Sequence, residues 1–152
     1  MKNSPQTIFN KGDVIFLDGD NSHHLYIIKK GKVRVIKEIQ SRLIPITILH
    51  EKEFLGELSI FTNSSHRATA IAVAETELVP VEKNEVKLIL KTLPIWINEL
   101  MHTLSNRLNA LDELIREHKI IDEDLTEGNR FAHGEERMIQ AKIKEHKALL
   151  AK

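Results

Sequence analysis

The residues with the clearest chemical meaning lie between Phe54 and Ala70, Phe-Leu-Gly-Glu-Leu-Ser-Ile-Phe-Thr-Asn-Ser-Ser-His-Arg-Ala-Thr-Ala. Gly56 and Glu57 open a short apolar segment, Leu58, Ile60 and Phe61, with Ser59 among them. It is too short for a free-standing helix and too interrupted for a long strand. A polar turn follows, Thr62 to Ser65, and Arg67 then enters an alternating small and apolar run, Ala68 to Val73. The pattern predicts a strand, a tight glycine turn, one or two turns of helix and a returning strand. The open start of a helix presents N–H groups that attract an anion. An arginine arriving from the far side can fork onto a phosphate. A carboxylate such as Glu57 repels that phosphate, unless it accepts hydrogen bonds from hydroxyls on the same ligand. A sugar phosphate meets both conditions.

This stretch resembles the phosphate-binding cassette of cyclic-nucleotide-binding domains, whose core reads Gly-Glu-Leu, a small residue, an apolar pair, a variable loop, then Arg-Ala/Ser-Ala. Gly56-Glu57-Leu58-Ser59, the loop length and Arg67-Ala68 fall into place together. Where the family has a second alanine after the arginine, this chain has Thr69. The resemblance implies that Arg67 pairs with a cyclic phosphate and that Glu57 accepts the ribose 2′-hydroxyl. It also implies that backbone N–H groups around Leu58, Ser59 and Ala68 complete the cradle, with Gly56 and Thr69 at its ends. The implied ligand is cyclic AMP or cyclic GMP, with no metal. Ala68, where guanine-preferring members often have threonine, leans towards cyclic AMP, and the Thr69 hydroxyl blunts that lean.

The elements that must position these residues begin upstream. Lys11-Gly12-Asp13 and Asp18-Gly19-Asp20 read as turns around the apolar run Val14 to Leu17. Leu25 to Ile28 is a compact apolar strand closed by Lys29-Lys30-Gly31, and the glycines of these turns call for positive φ. Val33, Val35 and Ile39 then alternate with Arg34 and Lys37, the period of a half-buried strand with its charges in solvent. Leu43 to Leu49 is a further strand, and Pro45 places it at an edge or a bulge. Ala68 to Ala74 and Leu78 to Val81 give two more. Periodicity by itself predicts antiparallel β structure followed by helix, in a sandwich or barrel. The resemblance extends here too, because the turn–strand–turn signature from Lys11 to Gly31 matches the family's opening. It covers the chain from about Ile8 to about His118 and implies a mainly β fold with α: a jelly-roll-like antiparallel β-roll of about eight strands, closed by a long C-terminal helix. Just before the cassette, many members have Gly-Asp where this chain has Lys52-Glu53.

From Asn84 the period changes to that of a helix. Thr92 and Pro94 read as a helix start, and nothing interrupts the pattern from Ile95 to about Lys119. Ile97, Leu100, Leu104, Leu108, Leu111, Ile115 and His118 form a seam that the roll covers in part. A second copy of the same helix would cover the rest, giving a homodimer. Arg107 lies between the seam leucines. In some members an arginine at the matching place contacts the ligand or the cassette glutamate; the alternative is a solvated helix arginine. Leu111 and Asp112 stand where some relatives carry hydroxyl residues that reach the base.

Residues 122–134 are acidic and poor in apolar side chains, and predict a linker. Glu135 to Leu150 predicts a last helix, so residues 1–121 read as one domain and 122–152 as an appendage. About 30 residues are too few for a winged helix-turn-helix, and direct nucleic-acid binding is not expected. Lys plus Arg and Asp plus Glu balance at 22 each, which gives no electrostatic footprint for nucleic acid or an anionic membrane. With no cysteine there is no thiolate chemistry. The eight histidines never form a metal-binding pair and read as a scattered surface set; His66, which adjoins Arg67, reads as a loop residue, the alternative being a place near a bound phosphate. No signal peptide or membrane span is apparent, which predicts a cytoplasmic protein. The chemistry is binding without catalysis: a stand-alone sensor that signals through its C-terminal helix to an effector protein. The alternative is a scaffold that keeps the roll, has lost the ligand, and pairs Glu57 with Arg67.

Overall fold

A computed structural model describes residues 6–39, 41–118 and 130–151. Eight strands form two four-stranded antiparallel sheets. In chain order these are β1 (Thr7–Phe9), β2 (Val14–Phe16), β3 (His24–Lys30), β4 (Val33–Ile39), β5 (Arg42–Leu49), β6 (Phe54–Leu55), β7 (Thr69–Ala72) and β8 (Thr76–Glu82). One sheet runs β1-β8-β3-β6 and the other β2-β7-β4-β5. Four helices complete the fold, α1 (Glu57–Phe61), α2 (Lys83–Thr92), α3 (Ile95–His118) and α4 (Glu135–Leu150). Between the sheets Ile28, Leu55 and Leu78 meet Val33 and Ala70, all essentially inaccessible to solvent. This is the expected roll.

Two sequence irregularities have structural counterparts. Pro45 sits on β5, the edge strand of its sheet, and the pairing with β4 slips there, from Val35 opposite Thr47 to Ile36 opposite Pro45. A residue without an N–H is tolerated where the ladder is already broken or open. Lys52 stands where relatives place glycine, and it takes the left-handed conformation with φ of 71°. Its amide still closes onto the Ile28 carbonyl at 2.8 Å, and the Glu53 carboxylate accepts from the His50 amide. The turn is thus kept at the cost of a strained lysine. Lys52→Gly should raise stability by about 0.5–1 kcal/mol, the αL penalty less the added freedom of the unfolded glycine. A lower unfolding midpoint for that variant would show the strain to be absent.

The strand period of β4 does not end in solvent. Arg34 and Lys37, expected to project into water, are 4% and 5% exposed. The reason is α4. Residues 34, 36 and 38 share the outer face of their sheet, and α4 lies across it. Ile139 and Ile143 pack with Val14, Leu17, Ile36 and Ile71 in one buried cluster. Arg34 donates to both carboxylate oxygens of Glu135, Nε at 2.8 Å and Nη2 at 3.1 Å, and its guanidinium lies 5.4 Å from the centre of the Phe131 ring. Lys147 reaches Glu38 further along. Residues 33, 35 and 37 therefore face inward, and Lys37 belongs to the interior of the roll.

Two helix expectations also change. Thr92 ends α2 instead of starting α3, since its hydroxyl donates to the Ile89 carbonyl. On α3 the seam does not meet the roll. Leu100, Leu104, Leu108 and Leu111 are about half exposed, while Met101, Ser105 and Asn109 are the more covered positions. Most of the linker 122–134, and the side chains of Asp112, Ile115 and His118, lie outside what is described. No helix among the described residues is long and apolar enough to cross a membrane.

Candidate functional site

The cassette is built on one glycine. Gly56 ends β6 with φ of 83° and caps α1, and a Cβ there would come within 3.1 Å of the His24 carbonyl oxygen. The left-handed step turns the chain sharply into a helix of five residues, whose first amides have no intrahelical acceptor. Leu58 and Ser59 stand in that first turn. The Ser59 hydroxyl lies 2.8 Å from the Gly56 carbonyl oxygen, 2.9 Å from Ser22 Oγ and 3.2 Å from His66 Nδ1. After α1, Thr62 folds its hydroxyl back onto the Leu58 carbonyl and meets Ser64 at 2.7 Å, which tightens the loop.

His66 closes the cassette on itself. Only 5% exposed, its ring stacks on Phe16 with centroids 3.7 Å apart, and it touches the start of α1 at both Gly56 and Ser59. Its carbonyl accepts from Gly19 and its amide donates to Asp20. The surface-loop reading of this histidine is overturned, because the turn between β2 and β3 packs over it. Burial pushes its imidazole below the ordinary histidine range. Asp20 opposes that shift, and His23 and Lys83 add to it.

Arg67 follows His66 directly in the chain and leads into β7. Arg67 bonds Glu113 of α3 through Nη1 and Nη2, both at 3.5 Å and both accessible. The ion pair shown for Arg67 is with Glu113, not with Glu57. The Glu57 side chain opens to solvent on one side, yet desolvation by the surrounding chain raises its carboxyl above the ordinary range, and a backbone hydrogen bond partly offsets this. Ala68 lies between Arg67 and β7. Thr69 begins β7 on the outer face and accepts from the Asp18 amide at 3.1 Å, so its hydroxyl tethers the β2–β3 turn. Arg107 is exposed on α3 and bonds no other described residue. Gly56 and Ser59 are thus held together through His66, Glu57 and Leu58 lie between them in the first turn of α1, and Arg67, Ala68 and Thr69 follow His66 in the chain, while Arg107 lies on α3. Glu113 was missed by sequence reasoning. One more acidic residue on a polar helix face carries no signal of its own. No group of three or more potential metal ligands occurs among the described residues.

Fold and site define a regulatory β-roll in which hydrogen-bond donors and one carboxylate surround a short, open helix start. The chain belongs to the cyclic nucleotide-binding domain family, whose profile matches residues 6–92, more than half of its length. Domains of this family are regulatory rather than catalytic. Among curated proteins it is similar to the cyclic AMP receptor protein of Thermus thermophilus, 28% identical over 106 residues, 69% of this chain and 49% of that protein. Among solved structures it is similar to the EAL enzyme Bd1971 in its cAMP-bound form (TM-score 0.66, 32% identity, 76% of this chain and 32% of that one). The cGMP-bound form of that enzyme superposes equally well, with a TM-score of 0.66 at 31% identity, over the same shares of the two chains. This chain spans about half or less of the curated relatives it matches.

Proposed function

We propose that this domain binds a cyclic nucleotide as a sensor and passes the event to a partner through α3. The observation that supports the reading is the open turn at Gly56 to Ser59, held by His66, with Arg67 next to that histidine in the chain and Glu57 in the first turn of α1. In this reading Arg67 forks onto the cyclic phosphate, and the amides of Leu58, Ser59 and Ala68 supply further donors. Glu57 accepts the ribose 2′-hydroxyl, a bond that returns its raised carboxyl towards the ordinary range. Ala68 after the arginine favours cyclic AMP over cyclic GMP. The Thr69 hydroxyl, which accepts from the Asp18 amide and keeps its own proton to donate, blunts that preference. Similarity to an enzyme seen with either nucleotide supports the ligand class and leaves the base to measurement.

Glu113 supplies the link to α3. It occupies the guanidinium that the phosphate would claim, so ligand and helix compete for Arg67. An exposed pair of this kind is worth about 0.2–1 kcal/mol. Glu113→Gln should therefore tighten nucleotide binding by up to about fivefold. Unchanged or weaker binding in that variant, measured by titration calorimetry, would remove the competition. The exposed leucines Leu100, Leu104, Leu108 and Leu111, at steps of four, four and three, suit a second copy of α3. Leu104→Glu with Leu108→Glu should convert a dimer to a monomer in light scattering, and a wild-type monomer would count against this arrangement. The function itself is tested by thermal unfolding with each nucleotide. At a hundred times Kd the ligand should stabilise the fold by about 2.7 kcal/mol. No shift with either nucleotide, in protein freed of carried-over ligand, favours the scaffold.

A further inference from the structure

The cyclic-nucleotide reading assigns no task to His66, the most enclosed ionisable group of the cassette. Its ring is held on three sides. Phe16 of β2 stacks on one face at an interplanar angle of 7°, and Gly56 packs so closely that an added Cβ would lie 3.3 Å from Cε1. Ser59 meets Nδ1. Ser59 has one hydroxyl hydrogen for three neighbouring oxygen and nitrogen atoms, so the Gly56–Ser22–Ser59–His66 cluster holds together only when each member takes a single role. The ring faces Asp20 from the β2–β3 turn, His23 from the start of β3 and Lys83 from the start of α2, with Arg67 next to it in the chain. Tyr26 of β3 lies behind Phe16, its ring centre 6.3 Å away. Two cationic or potentially cationic neighbours against one carboxylate make this a poor place for an imidazolium.

We propose that the neutral imidazole of His66 is a positioning residue of the phosphate cradle, and that its protonation loosens α1 and lowers affinity for the cyclic nucleotide. It acts through other groups. The ring fixes the start of α1 against β2, and the amides of Leu58 and Ser59 follow α1. A charged ring must be rehydrated, and it can move outward only by leaving Phe16 and Gly56. The sign follows from the burial. A histidine whose folded-state pKa lies below its unfolded value binds fewer protons when folded, so acidification works against the ordered cassette. Affinity is full while the ring is neutral and declines only as pH falls through the lowered pKa of the folded, ligand-free chain, by at most about tenfold per pH unit. If the ring instead faced the phosphate, a proton on it would help binding and the slope would have the opposite sign.

The test rests on the sensor reading and separates the two. Affinity of the full chain for cyclic AMP and for cyclic GMP is measured from about pH 7.5 to about pH 5.5, in wild type and in His66→Asn. Asparagine keeps a polar atom near the Nδ1 position and does not titrate. The Cε1–H resonance of His66 and the amides of Leu58 and Ser59 are followed by NMR in ligand-free wild type over the same range. The expected result is binding that weakens with acid in wild type and a flatter profile in His66→Asn. The two amides should shift together with the His66 resonance. Wild-type affinity that is constant or rises with acid overturns the proposal, as does a steep loss that persists unchanged in His66→Asn, which would assign the slope to Glu57. If the variant does not fold, amides that fail to move with the His66 titration overturn it alone. Absence of nucleotide binding near pH 7.5 overturns the sensor reading, and this proposal with it.

Discussion

Arg67→Ala should weaken cyclic-nucleotide binding by at least about thirtyfold, the lower end of the 2–5 kcal/mol lost when one partner of a desolvated charge pair is removed. The effect is large because the arginine does two things that no neighbour can replace. Its planar fork can meet two phosphate oxygens at once, whereas the amides at the start of α1 each give a single bond. It also neutralises an anion that would otherwise sit next to Glu57. Arg67→Lys should recover only part of the loss, since an ammonium has the charge without the fork. The 3.5 Å contact of Arg67 with the exposed Glu113 is worth little to stability, and the variant's melting curve reads what its other interactions contribute. Calorimetric titration beside a melting curve checks both halves. Binding within twofold of wild type would move the phosphate away from this arginine and dismantle the site.

Arg34→Ala should be the most damaging substitution for the fold, at about 3–5 kcal/mol. Its guanidinium is buried under α4 and bonded bidentately to Glu135, whose side chain is 13% exposed. Removing the cation strands a carboxylate. The Ala132 amide, which also donates to Glu135, holds the cost towards the lower end. For a domain of this size that corresponds to a fall in Tm of about 6–12 °C. Replacing both partners, as in Arg34→Met with Glu135→Met, should restore most of it, because an apolar pair carries no desolvation penalty. A single variant that loses under about 1 kcal/mol would show that α4 does not depend on this pair. The same packing places Ile139 and Ile143 of α4 in one buried cluster with Val14 of β2, Ile36 of β4 and Ile71 of β7.

The contrast between Arg34 and Arg67 marks the boundary of what a sequence can carry. The order of strands, the turn glycines, the bulge at Pro45 and the cassette from Gly56 to Ala68 were all legible, because each is a local preference repeated at short range. The helix at Glu135 to Leu150 was legible too, from its own period. Its destination was not. An alternating strand announces two faces but not whether a distant helix will cover the second one, and so Arg34 read as solvated until α4 was seen above β4. His66 failed for the same reason: its burial comes from Phe16 and from the β2–β3 turn, some 50 residues earlier in the chain. The α3 seam erred in the other direction, since the roll takes the face of Met101, Ser105 and Asn109 and leaves the leucines outside. By itself the sequence determined the family of the domain and the chain order of the residues proposed to meet a cyclic phosphate. The tertiary structure decided which of them are free to do so, because partners for Arg67, Thr69 and His66 come from segments that only folding brings near.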